Sequence, residues 1–201
     1  MYIPNSVDIK GVTSNKRCNG FIGLCFESPN DIIHVTVRHN YKKRPTMQTS
    51  IGIRVNPNQV SYCILTGTPD EFEIKQIDKI VNPKSLETPE QLKFIRSTLY
   101  DIINEDQVKL ACIRITESNA RQISVARIYM EGVIQELIAS STITKYFVGQ
   151  ISSISSRLGI EREDFKPYVN GANVFIGLEN WNQLSLEERE AFMASLSALN
   201  L

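Results

Sequence analysis

The stretch Ser50–Leu65, SIGIRVNPNQVSYCIL, decides the fold prediction because it reads as two short strands joined by a tight polar turn. The four residues NPNQ that separate the strands are of the types that turns prefer. A third strand, FEIKQIDKIV (72–81), follows after a short polar link, with Phe72, Ile74 and Ile80 in partial alternation with polar neighbours. Three consecutive strands with short loops predict an antiparallel meander.

A helix is predicted next, in ETPEQLKFIRSTLYDIINED (87–106). Thr88 is suited to cap this helix, Pro89 to be its first residue and Gln91 to complete a capping box. Apolar residues at helical spacing predict one buried face, formed by Leu92, Ile95, Leu99 and Ile102. The following segment, VKLACIRI (108–115), predicts a strand that is buried on both faces.

The second half of the chain continues this alternation. A long helix is predicted from a cap at Ser118 or Asn119 to about Ser140, lined by Ile123, Ala126, Met130, Val133 and Leu137. A fifth strand, TKYFVG (144–149), precedes a short helix, QISSISSRLG (150–159), which ends at Gly159. A partly irregular connection (161–183) then leads to a final amphipathic helix, SLEEREAFMASLSAL (185–199).

This order of elements resembles the RNase H-like fold, in which three antiparallel strands are followed by alternating helices and strands. The prediction is an α/β domain, residues 47–201, with a mixed five-stranded sheet and helices on both faces. Residues 1–46, which end in the basic run YKKRPT (41–46), are predicted to be a separate extension, either a hairpin or a poorly ordered segment.

Within that fold, residues 49–200 resemble the RuvC branch, the Holliday-junction resolvases and their relatives. IGIRVNPNQVSYCIL (51–65) is similar to the family's Gly-Ile-Asp strand, turn and second strand. The segment 110–137 is similar to the family's Ile-Glu-Glu … Asn-x-Arg … Gly region, with Asn119, Arg121 and Gly132 near the expected spacing. The resemblance implies a nuclease that holds two divalent ions between carboxylates of the first strand, the fourth strand and the last helix.

The carboxylates that this chemistry needs are missing or displaced. Arg54 stands at the first-strand position, and no Asp or Glu lies between Met47 and Leu65. Two catalytic metal ions lie about 3.5–4 Å apart and require oxygen ligands. Arg54 would therefore repel a metal or take its place as a tethered positive charge. The alternatives for Arg54 are a surface strand residue, a structural ion pair, or a contact to a phosphate or nucleotide.

Three glutamates remain as candidate catalytic residues: Glu117, Glu187 and Glu190. The other interpretation of Glu117 is an exposed acid in the first turn of the next helix, where the helix dipole favours it. Glu187 and Glu190 would likewise be ordinary acids near the start of a helix, since Ser185 and Glu188 have the spacing of a capping box. An active enzyme would use Mg²⁺ or Mn²⁺; otherwise no cofactor is expected.

The lysines that resolvases place after the fifth strand are absent, and only Arg157 remains there. An anion could still bind the hydroxyls and helix N-terminus at 150–153. The candidate ligand or phosphate contacts are Arg54, Asn119, Arg121 and Arg157. Residues 1–46 hold seven basic and three acidic groups, so residues 47–201 carry a net charge of −4, which argues against strong non-specific binding to nucleic acid.

The cysteines and histidines do not form a convincing site. Cys18, Cys25, His34 and His39 invite a zinc interpretation, but the spacing of the two cysteines is too long for a zinc finger, which favours buried strand cysteines and unpaired histidines. The absence of histidine from residues 47–201 excludes a Ser-His or Cys-His pair there. Core positions are predicted for Cys63 and Cys112 and, as packing aromatics, for Tyr129, Tyr146, Phe147 and Trp181.

No apolar run is long enough to span a bilayer and no secretory signal is visible, so reduced cysteines and a cytoplasmic location are expected. The leading hypothesis is a catalytically degenerate RNase H-like domain that binds nucleic acid or a protein partner. The rival is a divergent metal-dependent endonuclease that acts on structured DNA or RNA. A homodimer that pairs through its helices is a third hypothesis.

Overall fold

The computed structural model describes residues 47–117, 124–176 and 178–201. Its sheet contains five strands: β1 (Gln48–Asn56), β2 (Gln59–Gly67), β3 (Phe72–Val81), β4 (Leu110–Arg114) and β5 (Lys145–Gly149). The strand order across the sheet is β3-β2-β1-β4-β5. The first three strands are antiparallel neighbours, whereas β4 is parallel to both β1 and β5. The predicted meander and mixed five-stranded sheet are confirmed.

The turn between β1 and β2 is closed by a side chain. The Asn56 amide oxygen accepts hydrogen bonds from the backbone N–H groups of Asn58 (2.8 Å) and Gln59 (3.0 Å). An asparagine side chain that bonds its own backbone two residues on is a common way to build a tight turn. This turn fixes the register of β1, and the parallel pairing with β4 then places Arg54 beside Arg114.

Helices cover both faces of the sheet, as predicted. They are α1 (Thr88–Glu105), α2 (Val125–Ser140), α3 (Ile151–Leu158), α4 (Phe165–Val169) and α5 (Leu186–Leu199). The helices α1 and α2 pack on one face, and α3, α4 and α5 pack on the other. Cys63 and Cys112 are fully buried in the core between the sheet and α3, α4 and α5. This confirms the prediction that both cysteines are core residues. The connection that leads to α5 contains α4 and a 3₁₀ turn at Trp181–Gln183.

Helix α1 begins one residue earlier than predicted. The first helical hydrogen bond runs from Gln91 N–H to the Glu87 carbonyl (2.9 Å), so Glu87 is the cap, and its N–H donates to the Glu90 carboxylate (3.1 Å). The Gln91 side chain is occupied elsewhere, because it donates to the Leu86 carbonyl (2.6 Å) and accepts from the Asn82 amide (2.8 Å). The capping box is therefore Glu87 with Glu90.

Helix α2 begins later than predicted, and of its predicted lining Met130 and Leu137 are buried as expected. Its cap is Ser124, whose hydroxyl accepts from Arg127 N–H (3.4 Å). The buried side chains are Met130, Glu131, Ile134, Leu137 and Ile138. The predicted Ala126 is exposed and Val133 is only half-buried. Apolar residues occur on most sides of this segment, so their spacing does not select a single face.

Two of the four aromatic predictions are wrong. Trp181 is fully buried and Phe147 is half-buried, as expected of packing residues. Tyr129 and Tyr146, however, expose about half of their surface, 52% and 48% respectively. Tyr129 lies outside the buried face of α2, and Tyr146 belongs to β5, the edge strand of the sheet.

Helix α5 is not amphipathic as predicted, because its residues from Arg189 to Leu199 are all buried. It lies across β1, β2 and β4 and is covered on its other side by α3 and α4. Gly52 allows this close packing, since a Cβ atom there would collide with the backbone of Ala191 and Ser195. The Ser195 hydroxyl donates to the Ser50 carbonyl (3.2 Å), which fixes the helix along β1.

Candidate functional site

The candidate site lies where β1, β4 and the first turns of α5 meet. Arg54 and Arg114 occupy paired positions in the parallel strands β1 and β4. Both side chains extend to the sheet face that α5 covers, because each contacts Glu190 of that helix. Two adjacent guanidinium groups repel each other unless an anion lies near them. Glu190 supplies that anion.

Glu190 is held between two guanidinium groups. Its Oε2 forms an ion pair with Arg54 Nε, and its Oε1 lies 3.6 Å from Arg114 Nε. The exposed fraction of each side chain is small: 12% for Arg54, 3% for Arg114 and 6% for Glu190. Among the interpretations of Arg54, the structural ion pair is therefore the one that fits its contacts.

The Nη1 atoms of both arginines also contact backbone oxygens. Arg54 Nη1 donates to the carbonyl of Arg114 (3.2 Å), and Arg114 Nη1 donates to the carbonyl of Ile115. Phe165 of α4 lies beneath Arg114, with the guanidinium carbon 5.9 Å from the ring centroid. With 3% of its side chain exposed, Arg114 is enclosed by protein.

Glu117 lies just after β4 and reaches the N-terminus of α3. One oxygen, Oε1, accepts from the backbone N–H of Ile151 (2.9 Å) and lies 3.1 Å from Arg114 Nη1. The interpretation of Glu117 as an exposed acid in the next helix is therefore wrong: it is partly buried and it precedes α2. The predicted anion site at 150–153 is filled by this carboxylate of the chain itself.

Glu187 is in the first turn of α5 and contacts the turn between β1 and β2. Its Oε1 accepts a hydrogen bond from the side-chain amide of Asn56 (3.0 Å). Ser185 and Glu188 form the capping box expected from their spacing. Glu187 thus joins the start of α5 to the end of β1.

Burial and the neighbouring charges shift the pKa of Glu190 in opposite directions. Burial raises this pKa to about 7, while the guanidinium groups of Arg114 and Arg127 lower it. Glu187 and Glu117 raise it further because they are negative. The site therefore brings the three candidate glutamates close enough for their charges to interact, but arginines rather than free space lie around Glu190.

A second ion pair lies beside the first and was missed by the sequence analysis. Glu131 of α2 accepts through Oε1 from Arg127 Nε (2.8 Å) and from both the N–H and the hydroxyl of Thr116 (3.0 Å each). The sequence signal was the spacing of four residues between Arg127 and Glu131, which is typical of helical ion pairs. Arg114 was also missed, although a charge within the apolar run LACIR is itself a signal.

The side chains of this site do not fit a divalent metal. Within residues 47–117, 124–176 and 178–201, no three Asp, Glu, His or Cys side chains converge as metal ligands. Mg²⁺ requires several oxygen ligands at about 2.1 Å. Here Glu190 faces two guanidinium groups, Glu117 faces a guanidinium and a backbone N–H, and Glu187 faces an amide. A cation would have to displace these donors to reach the carboxylates.

The remaining candidate contacts are not part of this cluster. Arg157 is exposed near the end of α5, where its Nη1 donates to the Asn200 carbonyl (3.4 Å) and its guanidinium lies 4.4 Å from the centre of the Phe147 ring. Ten residues of helix, about 15 Å, separate Asn200 from Glu190. Asn119, Arg121 and the extension 1–46 lie outside the described residues.

No helix in the described parts of the chain combines the length and the apolar character that a bilayer crossing requires. Comparison with protein-family models and with curated proteins gives no match. Solved structures do match. Two structures of RuvC from Thermus thermophilus, one of them in complex with a Holliday junction substrate, have TM-scores of 0.58 and 0.57 at 8% sequence identity.

Each of these two matches covers 75% of this chain and 92% of the RuvC chain. A fowlpox virus resolvase structure has a TM-score of 0.44 at 11% identity, which is too distant to support the fold by itself. At such identities the similarity concerns the fold alone. The topology described above and the two RuvC matches agree, and this chain therefore has the RNase H-like fold.

Proposed function

We propose that this domain binds structured nucleic acid without cleaving it. The observation that carries the proposal is the position of Glu190, whose two carboxylate oxygens face the guanidinium groups of Arg54 and Arg114. Hydrolysis by two metal ions needs carboxylates that converge on the metals with free oxygens. This cluster offers cationic side chains in that space instead, so the described residues keep the scaffold without such a ligand set.

The proposed ligand class rests on analogy with a protein of similar fold. One of the similar RuvC structures is a complex with a Holliday junction, and a fold by itself suggests a ligand only by analogy. The net charge of this chain is zero, so a nucleic-acid surface would be local. We place it near Asn119 and Arg121, in the link between β4 and α2, with Arg157 as a further contact. Arg54 is too enclosed to serve as a phosphate contact.

Two assays test this proposal together. A cleavage assay with Mg²⁺ or Mn²⁺ on four-way junctions, linear duplexes and single strands of DNA and RNA should show no products. A gel-shift assay at low salt should show binding to the branched substrate that weakens steeply as salt is added, because phosphate contacts release counterions. Absence of binding at low salt would leave only a protein partner as the ligand of this domain.

A matched pair of variants locates the surface. Asn119→Ala/Arg121→Ala should weaken the gel shift of the branched substrate at least several-fold. Arg96→Ala is the control, since Arg96 is an exposed arginine paired with Glu136 on the surface between α1 and α2. Equal loss in both proteins would mean that only general charge matters, and the proposed surface would be wrong.

A divergent nuclease is the second candidate, and one observation favours it. Glu117 and Glu187 are both close enough to Glu190 to raise its pKa, so the acids do gather at one end of the sheet. If this candidate is right, metal-dependent cleavage occurs and is lost in Glu117→Gln and in Glu190→Gln. Activity that survives both substitutions would come from a contaminating nuclease or from another site.

A protein interface is a further proposal. The first turns of α2 expose Val125, Ile128 and Tyr129, by 58%, 45% and 52% respectively. Exposed apolar residues that cluster on one element are typical of interaction surfaces. Light scattering decides whether two copies associate: a homodimer that becomes monomeric on Ile128→Glu would support pairing through α2, and a monomeric wild type would exclude it.

A further inference from the structure

We infer that the guanidinium groups of Arg54 and Arg114 act as built-in cations, in the space where the same carboxylates would otherwise need divalent metal ions. The inference concerns the chemistry of the cluster and is independent of which ligand the domain binds. Its experiment measures Mn²⁺ and not nucleic acid, so failure of this inference is distinct from failure of the proposed function.

The acids in and beside the cluster are balanced by positive side chains of the same chain. Glu190 is paired with Arg54, Glu117 with Arg114, and Glu131 with Arg127. Each of these three acids thus has an arginine partner of its own. Burying an unpaired carboxylate is costly, and either a metal ion or a cationic side chain can remove that cost. Here the chain itself supplies the positive charge.

The two arginines also connect the elements that carry the acids. Arg54 joins β1 to α5, and it also bonds the backbone that leaves β4. Arg114 joins β4 to Glu190 of α5 and to Glu117, which in turn caps α3. A metal ion that bridges carboxylates ties together the elements that carry them. The two arginines connect β1, β4, α3 and α5 in a similar way without a metal ion.

The length of the Arg54 side chain is similar to the span of a bridging metal ion. Arg54 Nε contacts Glu190 Oε2 directly. The Oδ atoms of an aspartate at position 54 would lie near the Cδ atom of the arginine. One carbon–nitrogen bond and this ion-pair contact then separate them from Glu190 Oε2, a distance of roughly 3–4 Å. Two metal–oxygen bonds span about the same distance. Removing the arginine should therefore leave a gap of the size that a bridging metal fills.

The inference predicts that a latent metal site appears when the cations are removed. The test variant is Arg54→Asp/Arg114→Gln, which removes both guanidinium groups and adds one carboxylate opposite Glu190. The matched control is Arg54→Asn/Arg114→Gln, which has side chains of the same size and lacks that carboxylate. Wild type, test variant and control are titrated with Mn²⁺ by electron paramagnetic resonance of the free ion, and their melting temperatures are measured with and without Mn²⁺.

The test variant should bind Mn²⁺ at least ten-fold more tightly than the control, and only the test variant should gain thermal stability from the ion. Wild type should bind no more Mn²⁺ than Glu190→Gln does. If wild type binds Mn²⁺ and Glu190→Gln abolishes this, the arginines do not replace the metal and the inference is wrong. Equal binding by test variant and control would also overturn it.

A folding defect in the variants would not leave the question open. If both double variants are unfolded without metal, only the aspartate variant should refold when Mn²⁺ is added, as followed by circular dichroism. Refolding of neither variant, or of both, would contradict the inference. The comparison of wild type with Glu190→Gln does not depend on the double variants at all.

Discussion

Arg54 and Glu190 form a buried ion pair that joins the last residues of β1 to the second turn of α5. Breaking a buried pair by removing one partner leaves the other charge uncompensated, which typically costs about 3–5 kcal/mol. Arg54→Met should therefore lower the free energy of unfolding by about 3 kcal/mol, measured by urea denaturation.

The double variant Arg54→Met/Glu190→Met is the control for this prediction. Apolar residues of similar volume often replace a buried ion pair without loss of stability. The double variant should therefore be at least 1 kcal/mol, roughly, more stable than the single variant. If the double variant loses as much unfolding free energy as Arg54→Met, or more, Arg54 stabilises the fold by packing rather than by its charge.

The cost of Arg54→Met should also depend on pH. The pKa of Glu190 in the folded protein is raised to about 7, so the stability it contributes is complete below the ordinary glutamate pKa and is lost as pH rises towards 7. Arg54 contacts Glu190 directly, so we expect removal of its positive charge to raise the folded-state pKa of Glu190 further. Wild type then levels off above pH 7 while the variant continues to lose stability, by up to about 1.4 kcal/mol per pH unit.

Urea denaturation of both proteins at pH 6 and pH 8.5 measures this difference. The destabilisation by Arg54→Met should be larger at pH 8.5. The control is Arg96→Met, which removes a partner of the exposed Glu136, and its effect should be the same at both values. If Arg54→Met lowers the unfolding free energy equally at the two pH values, Arg54 does not influence the ionisation of Glu190.

Glu117 provides a test of the contact between β4 and α3. Its carboxylate accepts from Ile151 N–H at the start of α3 and pairs with Arg114. A hydrogen bond to a charged group contributes about 1.5–3 kcal/mol, and an acid at a helix N-terminus is stabilised by the dipole. Glu117→Gln should lower the unfolding free energy by about 1.5 kcal/mol. Glu136→Gln is the control, because Glu136 belongs to an exposed ion pair, and it should leave the unfolding free energy almost unchanged. If both substitutions lower the unfolding free energy equally, Glu117 has no special role in stability.

Most of the fold could be predicted from the sequence because it depends on local patterns. The turn Asn56–Gln59, the capping box of Ser185 with Glu188 and the αL residue Gly159 at the end of α3 all act within a few residues. The position of α5 could not be predicted in this way. Its burial on all sides depends on contacts with β1 and α4, which are distant in sequence.

The candidate site could be predicted only in part, for the same reason. Arg54 and Glu190 are visible in the sequence, and a structural ion pair was one interpretation of Arg54. The partner of an arginine is decided by strand register and helix placement, and neither is a local property. Glu117 shows this most clearly: its partner is the backbone N–H of Ile151, which lies 34 residues further along the chain.

The substitution Gly52→Ala tests whether α5 lies against β1. A Cβ atom at this position would collide with the backbone of Ala191 and Ser195, which cannot move without shifting the helix. Overpacking of a core typically costs about 1–3 kcal/mol and more when backbone is involved, so Gly52→Ala should destabilise by about 3 kcal/mol or more. Gly132→Ala is the control, because nothing lies near its added methyl group and alanine favours an exposed helix. If both substitutions stabilise the protein, α5 does not lie against β1.

Gln107 should be replaceable by glycine with a gain in stability. It follows the last turn of α1 with a φ of 52°, in the left-handed region that favours glycine. Its N–H donates to the Asn104 carbonyl (3.2 Å) and Val108 N–H donates to the Ile103 carbonyl (3.0 Å), the pattern of a Schellman motif. Gln107→Gly should raise the unfolding free energy by about 0.5–1 kcal/mol in urea denaturation, because the strain of a side chain there exceeds the entropy that glycine loses.

The control for this last prediction lies three residues earlier. Asn104 is inside the final turn of α1, where backbone angles are helical and glycine offers no relief of strain. Asn104→Gly should therefore lower the unfolding free energy by a few tenths of a kcal/mol, roughly, the difference between the two residues in helix propensity. The same residue type should thus have opposite effects at two neighbouring positions. A loss of stability in Gln107→Gly as well would mean that the side-chain bond from Gln107 Nε2 to the Asn104 carbonyl (2.6 Å) outweighs the strain.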